Sequence, residues 1–436
     1  MNTLDTLQAF LDEAWDATVS LGFDPYPVEF YLVPSEAIYE ISSYGIVNHW
    51  RHWTYGRDYW LQKERLESGY GRLYEMVINS NPAIAYLLDT NTVAAQKLVI
   101  PHVFFHSHVF KHNYLLNRVR TDMPIALSAM TELMDKYAME YGGDKVEELL
   151  DAAMSISAQV DSVKHKSKSA VVERSEYADL LGDVINKKRR SYKDVRKERF
   201  DLPTTDLLGF IANNAPFLEE WECNVLKMVR DEALYFRPQM YTKILNEGAA
   251  TFGHEKLLGE LSFSDGELIE AIRMHAGVAA NNGVNFNPYW FGWTLLKYIE
   301  KTHGLEKVLD VIETESDASL IRNWVNEEFV RENNLFTFTL RKTKEPSYSK
   351  SVTIVEGVVE STEWEVVRDH LANAVAIRPP VIIVEEVKRD YTLILQHEAD
   401  GTMLKHDWAQ QVLNYIKRLW GADVQLVDCG RVLRAI

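Results

Sequence analysis

Leu98-Val99-Ile100-Pro101-His102-Val103-Phe104-Phe105-His106-Ser107-His108-Val109-Phe110-Lys111-His112 is the stretch on which the reading of this chain turns. Four of the chain's 13 histidines fall here, as two pairs spaced i,i+4 in an apolar setting. On an α-helix, positions four apart lie about 40° from one another on one face, so the imidazoles of His102 and His106 can converge on one cation. The six residues from His102 to His108 turn a helix through about 600°, which leaves the His108/His112 pair about 120° away. One ion cannot use all four. The bland reading is a set of histidines hydrogen-bonded to backbone and carboxylates, but two imidazoles on an apolar face each need a polar partner. Pro101 removes an intrahelical hydrogen bond, so the helix is expected to kink or to begin there.

Outward from this helix the pattern stays mainly α. Apolar residues at helical spacing run from 3 to 21 and stop at Gly22. Residues 23–27 then break the helix, and Val28 to Val33 reads as a short strand. Helices are expected over 56–80, 90–118, 123–141, 144–162, 204–236, 238–260, 264–276 and 288–303. Residues 164–199 are rich in Lys and Arg, including Lys187-Lys188-Arg189-Arg190, and read as a solvated excursion or a docking surface for acidic groups. After residue 333 strands are expected at 335–341, 352–355, 381–384, 391–396 and 424–428, with helices near 361–374 and 404–419. The expectation is a large helical domain over 1–330 followed by a small α+β domain over 335–436.

The 436 residues are 46% hydrophobic and 25% charged, an ordinary globular balance. A formal net charge of -17 argues against wrapping nucleic acid or lying on an anionic membrane. No apolar run is long enough to span a bilayer, and Asp5, Asp12 and Glu13 stand where a signal peptide would be basic and then apolar, so a cytoplasmic protein is expected. Two cysteines, Cys223 and Cys429, are too few for a thiolate zinc site; any metal must be held by nitrogen and oxygen.

A third ligand is offered by Asn246-Glu247-Gly248-Ala249-Ala250-Thr251-Phe252-Gly253-His254, where Glu247, Thr251 and His254 share one helical stripe. His102, His106 and Glu247, with His254 beside them, make a set suited to a divalent ion, zinc first. Among carboxylates placed to act as a base, Glu75 is preferred over Glu232 and Glu255. Glu75 could equally pair with Arg72 or a histidine ring nitrogen. His108, His112, His275, Asn287 and Tyr289 are candidates for the pocket lining.

Further stretches carry a family resemblance: Gly22-Phe23-Asp24-Pro25-Tyr26-Pro27-Val28-Glu29-Phe30, His52-Trp53-Thr54-Tyr55-Gly56, Tyr74-Glu75-Met76-Val77-Ile78-Asn79-Ser80-Asn81-Pro82, the run from His102 to Asn113, Asn213-Asn214-Ala215-Pro216, Tyr235-Phe236-Arg237-Pro238-Gln239, Asn246-Glu247-Gly248 and Asn287-Pro288-Tyr289. In this order, over about the first 300 residues, they resemble the stage V sporulation protein R (SpoVR) family. The resemblance implies a cytoplasmic protein, tied in endospore formers to assembly of the peptidoglycan cortex, with protein partners in that assembly and relatives in non-sporulating bacteria. It implies no reaction. Asn-Glu-Gly-x-Ala-Thr is also locally similar to the third-ligand motif of gluzincin metallopeptidases, which would give the helical domain a metallopeptidase-like core. The gluzincin general base, however, is a Glu directly after the first histidine, and Val103 stands there. The chain also departs from the SpoVR pattern at His108, His112, Ala249 and Gly253. Three functions remain open at this point: a metal-stabilised scaffold or regulator, a metal-dependent hydrolase acting on a peptide or a cell-wall precursor, and, with nothing else in the chain suggesting dioxygen or a cosubstrate, a metal-dependent oxidoreductase using a two-His, one-carboxylate triad.

Overall fold

The computed structural model describes residues 3–67, 74–161, 200, 202–281, 286–346, 351–376, 379–399 and 401–436, so the basic stretch 164–199 lies outside the described residues. Among the described residues there are sixteen α-helices and nine strands, and the fold is mainly α with a strand-rich C-terminal part. No described helix is long and apolar enough to cross a membrane. Two compact units divide the chain. One comprises Met1–Val47, Thr54–Pro124 and Pro238–Ile377; the other comprises Asn48–Trp53, Ile125–Arg237 and Arg378–Ile436.

The first unit begins with α1 (Thr3–Ser20), followed by β1 (Val28–Val33), α2 (Ser35–Tyr44) and α3 (Trp53–Glu67). The helix expected to run to residue 80 does not do so. Residues 75–78 instead form β2 (Glu75–Ile78), antiparallel to β3 (Ala83–Leu88), which in turn lies parallel to β1. The sheet order is β1-β3-β2. Tertiary pairing overrides the helical pattern here: Met76-Val77-Ile78 suits a pleated strand, and β3 alternates buried and half-buried residues in step with the pleat.

The histidine-bearing helix, α4 (Val93–His112), starts where the Thr92 side chain accepts a hydrogen bond from the Ala95 N–H at 3.2 Å. It begins eight residues before Pro101 and runs through it, so it does not begin there, and every residue from Ala94 to Phe110 is buried. Phe104 meets Trp15 and Phe30 edge-on, and Phe105 meets Phe23. Each such buried aromatic contributes about 2–3 kcal/mol, so packing on all sides offsets the ~3 kcal/mol a mid-helix proline costs.

Later in the chain the same unit continues with α9 (Lys243–Leu257), α10 (Asp265–Val278) and α11 (Pro288–His303), the numbers between belonging to the other unit. Gly248 of α9 and Gly292 of α11 face each other so closely that a Cβ on either would collide with the other's backbone; Gly253 likewise lies flat on the Phe105 ring. The start of α9 is fixed from a distance, because the Asp317 carboxylate accepts the Ile244 and Leu245 N–H groups at 2.9 Å each. Three helices unforeseen in the sequence, α12 (Leu305–Thr314), α13 (Asp317–Trp324) and α14 (Glu327–Glu332), precede the antiparallel pair β4 (Thr337–Pro346) and β5 (Ser351–Ser361) and then α15 (Trp364–Val375).

The second unit contains α5 (Met123–Tyr141), α6 (Gly143–Ser155), α7 (Leu207–Asn214) and most of α8 (Glu220–Met240). The single helix expected over 204–236 is two, parted at Ala215-Pro216. β6 (Val381–Val387), β7 (Leu393–Glu398), β8 (Val424–Asp428) and β9 (Arg431–Arg434) form a sheet in that order, with α16 (His406–Trp420) between β7 and β8 in sequence.

Candidate metal centre

Three elements of the first unit converge. From α4, His102 and His106 place their rings at 90° with the two Nε2 atoms 3.0 Å apart. From the first position of β2, Glu75 Oε1 stands 3.7 Å from His102 Nε2. From α9, Glu247 Oε2 lies 3.5 Å from His106 Nε2 and 3.9 Å from His102 Nε2. Glu75, His102 and His106 each present a donor atom, and these lie within 4.8 Å of one another. Glu247, outside that mutual set, still reaches both imidazoles.

The electrostatics of the cluster follow from its burial. Burial, reinforced by the neighbouring His106 and His254, holds the His102 ring well below its usual range, so it is a neutral imidazole with a lone pair to give. Burial first, and the Glu247 carboxylate second, push Glu75 up to about 8. Tyr289, hydrogen-bonded to Glu247, is held well above its usual range by burial and by both carboxylates, so it stays a phenol. Glu247 Oε2 and His106 Nδ1 are buried without a hydrogen-bond partner. A buried, unsatisfied carboxylate oxygen is expensive, and two carboxylates beside two imidazoles are the nitrogen and oxygen donors that zinc and similar divalent ions accept.

His254, expected among the ligands, sits behind His102 instead: its Nδ1 is 2.9 Å from His102 Nδ1, on the side away from Glu75 and Glu247. Its Nε2 meets His275 Nδ1 at 2.9 Å, and the His275 ring lies edge-on to Trp293. Burial lowers both, so His254 and His275 form a neutral imidazole chain that orients His102. His108 and His112 belong elsewhere. His108 Nδ1 accepts the Asp24 N–H at 2.9 Å and His112 Nε2 lies 3.1 Å from Asp24 Oδ2, tying the 23–27 tract to the other face of α4. Asn287 caps α11 by accepting the Tyr289 and Trp290 N–H groups, while Tyr289 reaches the centre. Glu232 pairs with His49, and Glu255 with Trp293 and Lys297. Val103 is core. Asp317, which fixes the helix carrying Glu247, had no local signal in the sequence.

A mainly α protein in which one fully buried helix aims a histidine pair at two carboxylates is the class that fold and site define. The chain belongs to the SpoVR family: a family model described as SpoVR like protein matches residues 1–378, and one described as SpoVR-like C-terminal domain matches residues 380–430. It is 28% identical to the uncharacterized protein YcgB of Escherichia coli (strain K12), over 97% of this chain and 92% of that one. No solved structure matches. None of these matches extends the local gluzincin likeness.

Proposed function

We propose that the chain is a metal-stabilised scaffold or regulator, in which Glu75, His102, His106 and Glu247 hold one divalent ion, zinc by its donor preference. The role in cortex assembly, or its counterpart in cells that do not sporulate, rests on the family resemblance. The observation that carries the metal reading is Glu247 Oε2, a buried carboxylate oxygen with no hydrogen bond among the described residues, directed at the ring nitrogens of His102 and His106. An ion there would bind charge on both carboxylates and lock β2, α4 and α9 together. The test is metal content per chain on protein purified without a His-tag. About one ion per chain is expected, with loss in His102→Ala and Glu247→Gln; a parent that takes up none after repletion ends the proposal.

A second reading, a metal-dependent hydrolase, draws on Tyr289, a phenol that keeps its proton and is hydrogen-bonded to Glu247, and on Glu75, freed of its proton by the ion, as the base. Such groups can pass a proton beside a carbonyl that a bound ion polarises. Glu247→Gln separates the two readings. Loss of biological function with fold and partner binding intact favours hydrolysis, while function that follows partner binding alone favours the scaffold.

A further inference from the structure

The second unit contains a cavity of about 620 Å³ whose lining residues all belong to that unit. Its walls include Ile156 after α6, Pro380 and Ile382 at β6, Leu395 on β7, and Leu413 and Ile416 on α16. That volume lies in the range that accepts a small organic molecule. At the rim, Met403 is 54% and Trp408 69% exposed, so apolar surface continues outward from the mouth.

Of the polar residues that line the cavity, Ser155, Gln159, His397, Glu398, Thr402 and Lys405, only His397 is buried, and it pairs with Asp428 just outside the lining. Along β7 the buried face carries Leu393, Leu395 and then His397; along β8 it carries Val424, Leu426 and then Asp428. By the two-residue period of a strand, His397 and Asp428 occupy places where aliphatic side chains belong. His397 Nδ1 is 2.8 Å from Asp428 Oδ1, and Asp428 Oδ2 accepts the Leu404 N–H at 3.0 Å. The two side chains are only 7% and 8% exposed. Apolar residues would serve such a face at least as well for stability.

The carboxylate fixes the ring. With Nδ1–H donated to Asp428, the other ring nitrogen, Nε2, is the one that can accept, and it has no hydrogen bond among the described residues. His397 itself lines the cavity. We propose that this cavity binds a small apolar molecule bearing one hydroxyl group, whose O–H donates to His397 Nε2 while its apolar body lies between α16 and the sheet.

The full-length protein is titrated with 2-naphthol and with 2-methoxynaphthalene, which lacks only the donor, by ligand-observed NMR. The expected result is about tenfold tighter binding of 2-naphthol, the discrimination one unmade buried hydrogen bond produces. Val412→Trp, which fills the cavity from α16, should lower 2-naphthol binding by about tenfold or more without changing the circular dichroism spectrum. The double variant His397→Leu, Asp428→Leu should stay folded and bind the two probes equally, and it carries the test should the tryptophan variant fail to fold. Equal binding of the probes to the parent overturns hydroxyl recognition. Binding of 2-naphthol that survives in a folded Val412→Trp overturns the location. No binding of either probe at millimolar concentration, or binding displaced only by an added peptide or by self-association, overturns the small-molecule site.

Discussion

Replacing Glu75 by Gln keeps the shape of the side chain and removes its titration. In the metal-free protein Glu75 is pushed from an ordinary 4.5 to about 8, so the folded chain retains a proton there that the unfolded chain has already released. A carboxylic acid raised in this way leaves stability untouched below pH 4.5 and erodes it as pH climbs to about 8. At about 1.4 kcal/mol per pH unit the erosion reaches about 3 kcal/mol at pH 7 and about 4 kcal/mol at pH 8, where the folded-state group is half ionised. The Gln variant, stripped of metal, should therefore match the parent at pH 4.5 and exceed it by those amounts at pH 7 and 8. Thermal or urea unfolding of chelator-treated protein across pH 4.5–8.5 measures the difference directly. Asp317, pushed up to about 7 mainly by burial, adds its own downward slope between pH 3.8 and 7, but it does so in both proteins and cancels. With a divalent ion added the order should reverse, because the parent gains binding energy that the variant lacks. A metal-free variant no more stable than the parent at pH 8 would refute the reasoning.

Ion binding must displace the Glu75 proton, so apparent affinity should rise by about tenfold per pH unit up to about pH 8 and then level off, as read by competition with a chromogenic chelator. Changing His254 to Phe should weaken the ion by about 10–100-fold without abolishing stoichiometric uptake, the signature of a residue that orients His102; complete loss of uptake would make it a ligand. Gly292→Ala should cost about 1–3 kcal/mol in urea unfolding, because the new methyl group drives α11 off the backbone of α9 next to Glu247. Asp317→Ala, which strands two buried amide groups at the start of α9, should cost a similar ~1–3 kcal/mol.

Much of this was legible in short-range pattern. The His102/His106 spacing and its apolar setting identified the central helix, and Asn246-Glu247-Gly248 identified the second, because helical periodicity is a local property. Glu75 was legible as a candidate base or as a partner for Arg72 or a histidine ring, without saying which. Its place beside His102 comes from pairing of β2 with β3, a non-local event in a segment whose own pattern suggested helix. His254 shares a stripe with Glu247, but seven residues advance a helix by about 10 Å, too far for both to bind one small ion. Pro101 misled as to where the helix begins: its lost hydrogen bond is offset by the packing around α4, which no local pattern reveals.

The tie between Asp317 and the start of α9 also bears on how the molecule is made. His106 precedes Asp317 by 317 − 106 = 211 residues, which at about 5–20 residues per second separates their synthesis by about 10–40 s. Throughout that interval the nascent chain carries its histidine pair without the side chain that pins the helix opposite. The centre is thus completed late on the ribosome, and a truncated product ending before residue 317 would display the histidines but lack the fixed carboxylate facing them.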